Sequence, residues 1–139
     1  MASTLKINTL TGVTTAGSIA VTGEGNSTTT NLQQGLCKCW VNFDGTATDA
    51  ATRDSFNVSS MTDNGTGDYT ISINNDMAND DYTFVTGAGH DDASSTVHGF
   101  EAHSYATGSI TANLYQFSSG AFAKANRNFV HATFHGDLA

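Results

Sequence analysis

Apolar and polar residues alternate with a period of two through most of this chain, the spacing of strands with one face in a core and one in water. Between Cys37 and Phe43 the residues Cys37, Cys39, Val41 and Phe43 fall on one face, and Lys38, Trp40 and Asn42 on the other. Asp44-Gly45 then supplies a turn. Phe56 and Val58 alternate with Asn57 and Ser59, and the reading takes them as one strand. The cluster Asp63-Asn64-Gly65-Thr66-Gly67-Asp68 is dense in turn residues. After it Tyr69, Ile71 and Ile73 alternate with Thr70, Ser72 and Asn74, so this strand and the one before it form a predicted hairpin.

Further strands are predicted at Tyr82–Val85, Thr96–Ala102, Ser109–Phe117 and Asn128–His135. Ile110, Ala112 and Leu114 there alternate with Thr111, Asn113 and Tyr115, and Val130, Ala132 and Phe134 with His131, Thr133 and His135. Ser118 to Asn126 reads as a loop or one short helical turn. About seven short strands separated by turns predict an all-β fold, an antiparallel β-sandwich or a jelly-roll-like domain; the spacing does not separate the two. Residues 1–34 differ. Their apolar positions are few (Leu5, Ile7, Leu10, Val13, Ile19, Val21, Leu32) and set among Thr, Gly and Ser. Such a segment buries too little to order alone, and is expected to be an extended attachment arm, with residues 35–139 forming the β domain.

Composition supports this picture. The chain has 139 residues, no proline, 14 glycines and only 13% charged residues, so hydroxyls and amides must solvate most of its surface. Glu, Lys, Leu and Arg, which favour helices, are scarce. At 38% hydrophobic content a lone copy buries little, which makes self-assembly a natural way to complete the core. The net charge of −8 and five scattered basic residues (Lys6, Lys38, Arg53, Lys124, Arg127) argue against binding to a phosphate backbone. The first residues lack the apolar core of a signal peptide, and no apolar run is long enough for a membrane helix. The protein is expected to stay in the cytoplasm or to assemble there into a particle.

Little in the sequence points to catalysis. No G-x-S-x-G elbow occurs, and the abundance of Ser, His and Asp makes chance combinations uninformative. Asn79-Asp80-Asp81 and His90-Asp91-Asp92 lack calcium-loop spacing and read as solvated turns. Gly87-x-Gly89 is followed by no helix pattern and is not a phosphate cradle. Cys37 and Cys39 read as small apolar residues on one face, because strand neighbours at i and i+2 are poorly placed for a disulfide and no second pair completes a zinc site. His131 and His135 are four apart on one strand, farther than a metal pair on a strand prefers. They are retained as candidate surface or axial histidines. Asn57-Val58-Ser59 and Asn64-Gly65-Thr66 fit the glycosylation pattern by accident. Neither an enzyme activity nor a cofactor is expected.

The segments NLQQGL-x-K-x-WVNFDGT, RDSFNVSS-x-TDNGTGDYT-x-x-I and VHATFHGDL carry a resemblance. They are similar to a domain common in tail fibre or virion fibre proteins of marine and freshwater tailed phages. The likeness is specific from Asn31 to Ile73, looser from Asn74 to Asn128, and returns in the last strand. Cys37 and Cys39 depart from it, since small residues such as Ala are the more usual occupants. The resemblance implies a non-enzymatic virion-surface β domain that forms homotrimers, with capsid or tail proteins as partners. Fibres of this kind sometimes place histidines on a threefold axis, where three copies share one metal ion. Trp40, Phe43, Phe56, Tyr69 and Ile71 are the expected structural or interface residues. Two competing expectations are a fibre tip that recognises host surface glycans and a cement protein that strengthens a capsid. The length of the chain leaves no room for a long shaft beside a head domain, which favours a compact fibre or decoration protein. A recognition surface is expected in the His-rich second half.

Overall fold

A computed structural model describes residues 4–12, 19–23, 25, 27–89 and 96–139. Strands account for 59% and helix for 3% of these described residues, so the layers are sheets. The chain divides into two compact units, 1–36 and 37–139.

In the first unit, β1 (Ala20–Thr22) pairs antiparallel with β2 (Thr29–Asn31). One helical turn follows, α1 (Leu32–Gly35), started by the Asn31 side chain, which accepts from Gln33 N–H at 2.8 Å and Gln34 N–H at 3.3 Å. The arm expected to be extended thus contains a hairpin. Residues 4–12 form no strand or helix, and Leu5, Ile7 and Leu10 are exposed. Val13 lies outside the described residues.

The second unit contains β3 (Cys39–Asp44), β4 (Ala51–Phe56), β5 (Val58–Gly65), β6 (Asp68–Ile73), β7 (Thr83–Gly89), β8 (Val97–Ala106), β9 (Ser109–Ser118), β10 (Ala121–Lys124) and β11 (Phe129–His135). The first sheet has the order β4-β3-β11-β7. In the second, β9 is paired on one side by β8 and on the other by β6 and β10 in succession, and β5 lies beyond β6. Every pairing is antiparallel. The fold is all-β with antiparallel sheets, as the alternation predicts; nothing in the strand order establishes the jelly-roll alternative.

Both sheets contribute to one core. Cys39, Val41, Phe43, Val130, Ala132 and Phe134 come from the first, and Tyr69, Ile71, Ile73, Phe100, Ile110, Ala112 and Leu114 from the second. An aromatic chain ties the sheets together: Phe43 meets Tyr69 edge-on at 5.0 Å between centroids, Phe84 meets Phe100 at 5.7 Å, and Phe84 meets Phe134 at 5.2 Å.

Two features differ from the sequence reading. Phe56 and Val58 do not belong to one strand. The chain breaks at Asn57, which takes φ of 60°, and β4 and β5 lie in different sheets. Asn tolerates this left-handed conformation better than most residues. Its amide also secures the corner, donating to Lys38 O (3.0 Å) and Asn75 O (3.1 Å) and accepting from Asn75 N–H (2.8 Å) and Nδ2 (2.9 Å). Second, the loop or helical turn expected at Ser118–Asn126 contains the strand β10. Ser119 and Gly120 both have positive φ, the geometry of a two-residue hairpin turn that follows the strand twist. The Ser-Gly pair was the local signal.

Candidate functional site

The residues singled out in the sequence fall into two groups. Phe43, Tyr69 and Ile71 are fully buried and build the core. The Tyr69 hydroxyl lies 3.0 Å from Gly45 O and 2.9 Å from Asn126 Oδ1, which also accepts from Gly67 N–H, so this ring anchors two turns. Trp40 and Phe56 lie outside the core, on the outer face of the first sheet.

That outer face is set by parity. With Cys39, Val41 and Phe43 pointing in, Trp40, Asn42 and Asp44 point out. Strand register aligns Phe56, Trp40, Thr133 and Val85 in one row across β4, β3, β11 and β7. Phe56 and Val85 are each 53% exposed, and Trp40 is half-buried. The neighbouring row is Asp54, Asn42, His131 and Gly87. A Cβ on Gly87 would collide with the His131 ring, so glycine there gives the imidazole its place. Farther along, Phe129 is covered by Arg53, whose guanidinium carbon stands 4.5 Å from the ring centroid. Arg53 also pairs with Asp44 at 2.9 Å and donates to the carbonyls of Phe43 (3.3 Å) and Asn128. The Asp44 carboxyl is held below its usual range, chiefly by the Thr46 hydroxyl at 2.6 Å.

His131 and His135 occupy the same outer face of β11 with Thr133 between them, and His135 aligns with Thr83. Among the described residues no group of three or more His, Cys, Asp or Glu side chains could hold a metal ion. His90-Asp91-Asp92 lies outside the described residues. Both cysteines are free thiols. Cys39 is fully buried, and desolvation, helped by its neighbour Cys37, pushes its thiol up to about 12. The Cys37 thiol, half-buried, donates to Cys39 O at 3.0 Å.

The second sheet has an outer face that no sequence motif marks. Because Ile110, Ala112 and Leu114 point in, Thr111, Asn113, Tyr115 and Phe117 of β9 point out. Register places Val97, Phe117 and Phe122 in one row, Gly99, Tyr115 and Lys124 in the next, and Glu101, Asn113 and Asp68 in a third. The first row is apolar and open: Val97 is 67% exposed and Phe122 74%, and the Phe117 and Phe122 rings meet tilted by 50° with centroids 4.8 Å apart. The third row is polar. Lys124 bonds Asp68 at 2.8 Å, which lowers the Asp68 pKa, and Asn64 donates to Asp68 and to Thr70. Asn113 is only 8% exposed, and its Oδ1 has no hydrogen-bond partner. The available signal was an aromatic pair, Tyr115 and Phe117, on the polar side of a strand whose other side was already apolar. No family model, curated protein or solved structure matches the chain.

Proposed function

We propose that this chain is a structural protein of a tailed-phage particle, a surface fibre or decoration protein held by its N-terminal residues and assembled as homotrimers through the β domain. The observation that carries the reading is the row Phe56–Trp40–Val85 on the outside of the first sheet. Phe56 and Trp40 side by side, with Val85 beyond Thr133, put large apolar side chains on a face that otherwise carries mostly polar and charged groups, and such a patch marks a surface that is covered in use. In this reading three copies bring that face to a common axis, and residues 1–34 remain available for the particle. The likeness of Asn31–Ile73 to phage fibre domains supplies the setting, and it includes both Trp40 and Phe56.

Sedimentation equilibrium of the full chain tests the assembly. The expected mass is three times 14.5 kDa, and Phe56→Asp should shift it to one, because an unpaired carboxylate is costly to bury in an apolar contact. A monomeric wild-type chain would rule out the trimer. Density for the chain on intact particles tests the setting, and its absence from purified virions would rule that out.

A further inference from the structure

We propose that residues 4–12 of one copy add as a strand to the open edge of β10 in a neighbouring copy, with Ile7 opposite Phe122. The acceptor is singled out by elimination among the sheet edges. Open edges invite pairing, and folded chains guard them with bulges and charges. β4 is bulged at Arg53 and carries Asp54 beside it, and β5 is bulged in two places. β8 is bulged at His103, and β7 lies beside it, the Thr86 hydroxyl donating to Phe100 O. That leaves β10, which reads Ala-Phe-Ala-Lys and pairs with β9 without a shift.

This edge is ready for a partner. Ser118 and Ala121 close the turn as a hydrogen-bonded pair, so the alternation of an antiparallel ladder turns the N–H and C=O of Phe122 and Lys124 away from β9. No strand of the described residues pairs on that side. The exposed Phe122 side chain ends the apolar row that begins with Val97 and Phe117.

The donor has the matching pattern. Leu5 and Ile7 alternate with Thr4, Lys6 and Asn8, and Thr and Ile favour strands. Residues 4–12 nevertheless form no strand, and Leu5 and Ile7 are 79% and 51% exposed. Pairing Ile7 antiparallel with Phe122 sets Leu5 opposite Lys124, and each pair exchanges both of its backbone hydrogen bonds. Ile7 then lengthens the apolar row and covers the free flank of the Phe122 ring. A shift of one residue would put Lys6 there instead.

Charge and exposure point to a second copy as the occupant. Residues 1–23 contain Lys6 and no acidic residue. The whole of the −8 lies in residues 37–139, because Lys6 and Glu24 cancel in the first 36. A cationic strand is therefore drawn to an anionic sheet. Within one copy the donor side chains and all of β10 are exposed, which leaves both halves of the contact for another copy. Donor and acceptor are different surfaces, so the contact runs head to tail. Two bonded pairs make it weak, of order 1 mM. It suits copies held side by side on a particle, where effective concentrations are high; for that setting alone it rests on the function proposed above.

The test is paramagnetic broadening of amide NMR signals between full-length chains at about 1 mM. Both chains carry Phe56→Asp, so that the first sheet's outer face does not contribute. The donor is Thr4→Cys bearing a nitroxide and no isotope; the acceptor is isotope-labelled and bears no nitroxide. A donor without Thr4→Cys, treated identically, corrects for nitroxide on Cys37. The expected result is broadening centred on Phe122, Ala123 and Lys124 and strongest toward Lys124. Ile7→Asp in the donor or Phe122→Asp in the acceptor should weaken the contact by about tenfold or more, and Lys6→Glu should weaken it less. No broadening at β10, broadening centred on another strand, or equal broadening with the Ile7→Asp donor would each overturn the proposal. So would broadening at β10 confined to chains carrying both nitroxide and isotope, because the segment would then lie on its own copy. The mass of the wild-type chain decides the trimer separately, so either reading can fail while the other stands.

Discussion

Asn57 shows how much structure one side chain can hold. It combines a left-handed backbone with four amide hydrogen bonds at the point where the chain leaves one sheet for the other. Asn57→Ala loses both contributions and should cost up to about 5–6 kcal/mol, from four net hydrogen bonds of about 1 kcal/mol each and a left-handed penalty of about 1–2 kcal/mol. Asn57→Gly keeps the conformation and should cost less; urea denaturation would rank the two, and equal losses would remove the backbone from the account. The sequence reading placed Asn57 inside a strand, because period two alone cannot distinguish a continuous strand from two strands joined by one bent residue. Cys39 is the second informative residue. Its folded thiol ionises at about 12 against an ordinary value of 9.0. Below 9.0 the thiol is neutral in both states and this contribution to stability is complete. Above it the unfolded chain loses a proton that the folded chain keeps, so stability falls with rising pH by up to about 1.4 kcal/mol per unit from this group. Denaturation midpoints measured across that range should decline, and less steeply in Cys39→Ala. A thiol reagent should leave Cys39 unmodified until denaturant is added.

At the scale of elements, the strands were legible where alternation was strict and the core continuous. β3, β6, β9 and β11 all appear with the predicted inward faces, because each is paired on both edges and packed on one side. Edge elements were harder to read. β4 and β10 are mostly exposed, so no apolar period marks them, and only pairing to β3 and β9 makes them strands. The outer faces were the least legible, since their rows are made across strands by register and not along the sequence. Tight turns fix that register. Gly67, between β5 and β6, has φ of 61°, and a Cβ there would lie 2.5 Å from Leu114 O and 2.8 Å from Ala125 N. Leu114 N–H donates to Gly67 O at 2.8 Å, so this turn sits against β9 where β6 hands over to β10. Gly67→Ala combines a left-handed strain with a backbone collision and should cost about 3 kcal/mol or more. Gly99→Ala, which meets open space, should change stability by less than about 1 kcal/mol. Thermal melts of the pair would check the contrast, and similar losses would contradict it.

At the scale of the whole molecule, charge and apolar surface act against each other in assembly. The β unit carries the entire −8, so bringing three copies together costs repulsion that any trimer contact must exceed. The proposed contact is apolar, through Phe56, Trp40 and Val85. Arg53 is already paired within its own copy with Asp44, and gives the neighbouring copy no free counter-charge. The salt dependence of assembly therefore has a definite sign. Added salt shortens the screening length from about 30 Å at 0.01 M to about 8 Å at 0.15 M, which weakens repulsion between copies while leaving the apolar contact intact or strengthened. The trimer should tighten as salt rises, the reverse of an interface held by ion pairs. Sedimentation equilibrium across that range would measure it, and a trimer that dissociates with added salt would mean the contact is made by charges and not by the Phe56–Trp40–Val85 row. Phe56→Leu should keep the positive salt response with weaker association, because it trims the apolar surface without changing the charge.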